Sequence, residues 1–402
     1  MTYDVARIRS HFPALAAAPG TGAAHFDGPG GSQTPDVVAQ AVYDTLTSPL
    51  ANRGSATPAE RNAEAAVVAG RQAMADLLAG DPAGVVFGRS MTQLTMDLAR
   101  ALSAQWEPGD EVLLSRLDHD ANVRPWVIAA GRVGAEVRWI DVDPATGELG
   151  PVEVTGRTRL VALTGASNLI GTRPDLPAVA ALAHEAGALF YVDGVHLTAH
   201  AGVDVAGLGA DLFACSPYKF FGPHCGVVHG RPELLEQIHP DKLLPSSDAV
   251  PERFELGTLP YELLAGTTAA VDFLADLVPG EGTRRERLVA SFAALEQHED
   301  RLRERVEQGL LDLGATVWSR AARRTPTLLA TWKGRDPQQI RARLAEHGVN
   351  APAGTFYAYE PARRLGLEAT GGLRIGLAPY TSEEDVDRLL TGLADALAGR
   401  PA

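Results

Sequence analysis

The chain has 402 residues, 45% of them apolar, and a formal net charge of −14. That acidity, with no lysine- or arginine-rich run, argues against a nucleic-acid or acidic-membrane surface. Cys215 and Cys225 are too few for a disulfide framework, and no run approaches about 18 uninterrupted apolar residues, so a cytoplasmic protein without a membrane partner is expected.

The opening stretch MTYDVARIRSHFPAL has no apolar core of signal-peptide length. From about residue 65, helical and strand patterns alternate. AEAAVVAGRQAMADLLAG reads as a helix ending at a glycine, GVVFG as a short strand and MTQLTMDLARALSAQW as a helix. EVLLS, EVRWIDV, TRLVALTGAS and ALFYVDG follow as strands, with NVRPWVIAAGRVG and DLPAVAALAHEAG as helices among them. GVVHG reads as a buried strand. This order predicts an α/β core with a largely parallel sheet covered on both faces. After LLAGTTAAVDFLADL a charged helical stretch, TRRERLVASFAALEQHEDRLRERVEQGLLDLG, leads into a smaller unit, with the boundary expected near residues 262 to 285.

In open α/β sheets, ligands bind where strands end and helices begin. Ser90, Met91 and Thr92 lie at such a turn, where free backbone N–H groups and the helix dipole suit a phosphate; an ordinary N-cap is the plainer reading of the turn alone. Asp118, His119, Asp120 and Asn122 follow the next strand, and each taken singly reads as a capping or hydrogen-bonded structural residue. Asn168 follows a third strand. Asp193 and His196 follow a fourth, and Asp193, behind the apolar triplet FYV, needs a cationic or hydrogen-bonding partner.

Lys219 in ACSPYKFFGPHCGVVHG is the most informative residue. A solvated surface lysine is the ordinary case, but the neighbours Phe220, Phe221 and Cys225 are apolar. Burial among them lowers an ammonium's pKa and makes it a better nucleophile towards carbonyls. Pyridoxal phosphate needs a lysine for its Schiff base, a carboxylate that keeps the pyridine nitrogen protonated, and donors for its phosphate. Lys219, Asp193 and the Ser90–Thr92 turn, helped by Ser216, supply these three roles.

Together VDGVH, SPYKFFGP, SNLIGT and HDANVRPW resemble the class V aminotransferases, and within them the cysteine desulfurase-like group. The resemblance runs from HFDGPGGSQTP to LRIGLAPYTSEEDVDRLL. It implies a fold-type I pyridoxal-phosphate enzyme: an N-terminal segment, 1–20, packed near the small domain; a large cofactor domain, 21–262, with a mainly parallel mixed sheet; and a smaller C-terminal α/β domain, 263–402. Lys219 is then the Schiff-base lysine and Asp193 the partner of the pyridine nitrogen. His196 stands near the ring hydroxyl, where a glutamine is usual, and Asn168 lies beside the ring. Ser216 and Tyr218 bind the phosphate with Met91 and Thr92. Thr258, in FELGTLPYE, reaches the phosphate of a neighbouring subunit, which implies a homodimer. Arg374, in GGLRIGL, holds the substrate carboxylate, and Arg53, in ANRGS, is a second candidate near the site.

Two departures shape the expected chemistry. Cysteine desulfurases of this type carry a loop cysteine that becomes a persulfide, whereas the corresponding loop here, NAPAGTFYAYEP, has none. Tyr357 stands about where that nucleophile would be and Pro352 replaces an arginine. At the ring face an aromatic or histidine commonly stacks; the resemblance sets Asp120 there with His119 one residue earlier, and the sequence leaves both open. The expected function is C–S or C–Se cleavage or β-elimination on a small amino acid without a persulfide cysteine. Transamination, epimerisation and a catalytically silent cofactor-binding homologue are the alternatives. No metal is called for, and a nicotinamide dehydrogenase fails for want of a G-x-G-x-x-G turn after the first strand.

Overall fold

A computed structural model describes residues 3–15, 22 and 24–398. Its centre is a seven-stranded sheet in the order Val85–Gly88, Gly226–Gly230, Leu212–Cys215, Leu189–Asp193, Thr158–Thr164, Glu111–Ser115, Glu136–Ile140. The five strands from Leu212–Cys215 to Glu136–Ile140 run parallel, while Gly226–Gly230 pairs antiparallel with both its neighbours. Alternate residues face opposite sides. Val161, Leu163, Phe190, Val192 and Phe213 enter one core, and Leu160, Ala162, Tyr191, Leu212 and Ala214 enter the other. Helices cover both faces, which is why the central strands are mostly apolar, while the edge strand Glu136–Ile140 carries Glu136 and Arg138.

Local chemistry sets the helix ends. The helix Pro58–Leu78 starts from a capping box in which Thr57 and Glu60 satisfy each other's backbone N–H groups. The helix Met91–Ser103 starts at Ser90, whose side chain accepts from Gln93 N at 3.1 Å, and buries Met91, Leu94, Leu98 and Leu102 at helical spacing.

The smaller unit is a four-stranded antiparallel sheet, Ala353–Gly354, Gly372–Gly376, Thr327–Thr331 and Thr316–Val317, packed by the helices Pro337–Glu346 and Glu383–Ala398. The expected division at residue 262 is corrected by the packing. Residue 262 falls in the helix Tyr261–Ala275, whose Leu264, Ala270, Val271 and Leu274 sit in the large core. The change of core instead falls inside the helix Arg284–Asp312. Its Leu288, Phe292 and Leu295 belong to the large core, and Leu302, Val306 and Leu310 to the small one. Ala24 and Phe26 also join the small core, through pairing of Ala24–His25 with Val349–Asn350, although they were assigned to the large domain. Of the N-terminal segment, residues 1–2 and 16–20 lie outside the described residues. The rest touches both units: Phe12 packs on Phe221 and Phe273, and Arg9 pairs with Asp385 at 2.6 Å.

Candidate active site

The carboxyl ends of the parallel strands open onto a cavity of about 700 Å³, within the range usual for ligand sites. Lys219 lines it from the turn Pro217–Lys219, which follows the strand Leu212–Cys215. Its ammonium donates to the carbonyl oxygens of Pro29 and Gly30, the latter at 3.0 Å, and lies 4.7 Å over the Tyr218 ring. Burial, reinforced by the Arg374 charge, depresses its pKa to about 7 against the opposing pull of Asp27 and Asp193. The turn is held by Phe221, which adopts φ 75°, a left-handed conformation made tolerable by packing of its buried ring against Phe12 and Phe273.

Asp193 ends its strand with its side chain almost fully buried. One carboxylate oxygen accepts from Val195 N at 3.0 Å; among the described residues the other has no protein donor. Burial raises the pKa of Asp193 to about 6. Two strands along the sheet, burial pushes Asp118 to about 8 despite hydrogen bonds from Ser115 and Asn122, so of these two carboxyls Asp193 is the one more readily ionised near neutral pH. Asn168 also lines the cavity. Its Nδ2 donates to Phe356 O at 3.0 Å, and its buried Oδ1 has no partner among the described residues. A carboxylate with an open oxygen, an unsatisfied amide oxygen and a desolvated lysine around one cavity fit a pyridoxal ring with its N–H⁺ and its carbonyl.

Met91 and Thr92 line the cavity at the first turn of their helix, where backbone N–H groups are free of intrahelical acceptors. Ser90 does not line it; its side chain is spent on the cap. Ser216 and Tyr218 line the opposite side, with Tyr218 stacked on His224 at 4.7 Å. Gly226 makes this cup possible. A Cβ there would stand 2.1 Å from Ser90 C and 2.3 Å from Met91 N. Gly226→Ala is therefore expected to displace the helix start and weaken cofactor binding roughly tenfold or more, a loss of at least one or two hydrogen bonds to a charged group; equilibrium titration of apoprotein with pyridoxal phosphate measures it.

His119 and Asp120 both line the cavity, but they differ in what holds them. His119 Nδ1 accepts from Ala121 N at 3.0 Å, and burial with the Lys219 charge lowers its pKa to about 4, leaving a neutral ring. Asp120 instead anchors structure: its N–H donates to Tyr357 O at 2.8 Å and its carboxylate accepts from Arg124 at 3.0 Å. His196 is buried, and its Nε2 meets the hydroxyls of Thr325 and Thr327 at 3.0 and 2.9 Å, leaving Nδ1 as the ring nitrogen free for a cofactor hydroxyl.

Arg374 is buried at the junction of the two units. Its guanidinium pairs with Asp27 at 2.7 Å, donates to Asn168 O at 3.1 Å and lies 3.8 Å over the Phe356 ring; its Nε has no protein acceptor among the described residues. Tyr357 stands at the rim, 79% exposed, and both it and Phe356 have φ 56°. Arg53 is not at the cavity: two carboxylates, Glu64 at 2.8 Å and Glu252 at 3.2 Å, draw its guanidinium elsewhere. Thr258 is exposed and lines a separate surface recess with Arg89 and Gln93. Sequence reasoning missed Asp27, Phe356 and Arg124; the one available signal was Asp27 following the apolar Phe26 beside a glycine turn. Among the described residues no group of three His, Cys, Asp or Glu side chains is placed to hold a metal ion, and no helix is long and apolar enough to cross a membrane.

Parallel strand ends, a lysine turn, a buried carboxylate and a helix N-terminus around one cavity define a fold-type I pyridoxal-phosphate enzyme. The chain belongs to the class V aminotransferase family, whose profile matches residues 24–389. It is 30% identical over 419 residues to cysteine desulfurase CsdA of Escherichia coli, with 98% of each chain covered. It is 34% identical over 402 residues to the uncharacterised Mycobacterium tuberculosis protein MT3887, covering 98% of this chain and 99% of that one. The crystal structure of E. coli CsdA matches with a TM-score of 0.86 at 28% identity over 99% of both chains. A C-DES lysine variant, with glycine covalently linked to its pyridoxal-phosphate cofactor, matches at a TM-score of 0.78 and 21% identity over 96% of this chain and 99% of that one, a likeness of fold. The expected family, architecture and pyridoxal-phosphate dependence are borne out.

Proposed function

We propose that the protein cleaves the bond between Cβ and a sulfur or selenium atom of a small amino acid by β-elimination, without a persulfide cysteine. The observation that carries this reading is a cavity lined by Lys219, Asp193 and Arg374 but by neither cysteine. Cys215 and Cys225 are both buried in the protein interior, and burial raises both thiols, Cys225 to about 11, so neither offers a reactive thiolate.

When bound, pyridoxal phosphate supplies the ring that accepts negative charge from the substrate's α-carbon. The chain's residues do the rest. Asp193 would keep the ring nitrogen protonated, and His119, neutral and lining the same cavity, would be the residue that meets the ring face. Met91, Thr92, Ser216 and Tyr218 donate to the phosphate, with Thr258 reaching the phosphate of a partner across a homodimer interface. Lys219, with a pKa near neutrality, takes the α-proton as general base. Arg374, whose Nε–H has no protein acceptor among the described residues, would hold the substrate carboxylate.

The test is an assay of the purified, cofactor-loaded protein with cysteine, cysteine sulfinate, selenocysteine and alanine in turn. Pyruvate with sulfide or selenide is expected. Alanine as the product of a sulfur substrate would instead show desulfuration through another acceptor, and an amino-group transfer to a keto acid with no sulfur release would show transamination; either result overturns β-elimination.

A further inference from the structure

The cavity does not close around an amino acid the size of cysteine. It continues outward past the Phe356–Tyr357 turn into an adjoining recess of about 500 Å³. Asp120, Arg124, Phe356 and Tyr357 line both spaces, and Thr355 and Tyr359 line the outer one. A free thiol on Cβ uses none of that room.

Arg124 gives the outer space its chemistry. It opens the helix Arg124–Val133, next to Pro125, in a turn fixed by Trp126 Nε1 donating to Asn122 Oδ1 at 3.1 Å. Its side chain is 44% exposed and bonds to one oxygen of Asp120 at 3.0 Å. A guanidinium has five N–H donors, and among the described residues no other protein acceptor takes those that remain. Asp120 is pinned by its own N–H to Tyr357 O, so it tethers Arg124 at the cavity wall and leaves the rest of the fork open to a ligand. Two arginines thus line one cavity. Arg374 lies at its buried end and Arg124 where it meets the outer recess, with the Phe356 and Tyr357 side chains on the wall they share. A molecule matching that order is acidic at both ends and apolar or thioether-like between.

We propose that the substrate is an S-substituted cysteine, or its selenium analogue, whose substituent ends in an acidic group, and that Arg124 is the specificity-determining residue that binds this group. The inference rests on the β-elimination reading above and names its substrate class. In the reaction Lys219 takes the α-proton and the Cβ–S bond breaks with its electron pair leaving on sulfur. That proton ends on the released thiol, and water hydrolyses the three-carbon enamine to pyruvate and ammonium. A thiol leaves as such, so no sulfur atom has to be passed to a loop cysteine.

The test uses the cofactor-loaded protein, with S-(2-carboxyethyl)cysteine against the similarly sized but neutral S-butylcysteine. Dissociation constants come from calorimetry and turnover from thiol and pyruvate release. The wild-type protein is expected to favour the acidic compound roughly 10- to 100-fold in both, as a charge-assisted fork implies. Arg124→Ala should erase that preference, the acidic compound falling to the level of S-butylcysteine measured in the same variant, and Arg124→Lys should restore part of it. Equal binding by the wild-type protein, or a preference that survives in Arg124→Ala, overturns the proposal. A preference that depends on Arg124 with neither thiol nor pyruvate released supports the Arg124 site and overturns elimination. Equal pyruvate release from both compounds does the reverse.

Discussion

Lys219→Ala, reconstituted with pyridoxal phosphate, is expected to show no visible absorbance from a lysine-linked cofactor and to lose turnover by about 10³-fold or more, because the proposed mechanism gives one residue both the covalent anchor and the general-base role. The site makes a sharper prediction about pH. A solvated lysine stays protonated past pH 10, so the rate at which it captures a carbonyl would climb across the whole neutral range. Here burial and Arg374 hold the pKa at about 7. The neutral amine is the nucleophile, so capture of pyridoxal phosphate by the apoprotein should rise as pH increases towards 7 and then level off. Stopped-flow absorbance between about pH 5 and 9 distinguishes the two profiles. A capture rate still climbing tenfold per unit at pH 9 would sink the desolvated-amine account.

Asp193→Asn should be the next most damaging change. Burial raises this carboxyl to about 6, and a cationic ring nitrogen beside it would favour the ionised form. Removing one member of a buried charge pair costs about 3–5 kcal/mol, which corresponds to roughly 10²- to 4 × 10³-fold. The loss should appear in turnover more than in cofactor retention, since the substitution leaves Met91, Thr92, Ser216 and Tyr218, the residues proposed to hold the phosphate, in place. Wild-type turnover in the Asp193→Asn protein would show that the ring nitrogen needs no anion here.

The alternating order of strands and helices was legible because both sheet faces are buried, which makes each strand a short apolar run between glycine and capping signals. Lys219 and Asp193 were legible for a related reason: each breaks an apolar neighbourhood, and only a ligand or an ion explains a charge there. The partner of Arg374 was not. Asp27 stands 347 residues away in the chain, and nothing local to either residue announces the pair. Arg53 misled for the opposite reason, since Glu64 and Glu252, which capture it, are unremarkable in a long helix and a short 3-10 turn. The choice between His119 and Asp120 also depended on distant groups: Lys219 and burial strip the histidine of its proton, while Arg124 ties down the aspartate. The change of interior was not legible because the charged stretch reads as one helix leading into the smaller unit, and its charge hides that its successive turns face two different interiors.

That helix, Arg284–Asp312, has a consequence for how the molecule holds together. At 1.5 Å per residue its 29 residues span about 43 Å, one continuous rod with an apolar stripe that serves two hydrophobic interiors in turn. A hydrogen-bonded helix does not part cheaply at its middle, so an interior that came apart would leave its own half of the stripe bare on a helix the other interior still holds. The two units are joined as boards to a common beam, which keeps the arginine of one facing the lysine of the other.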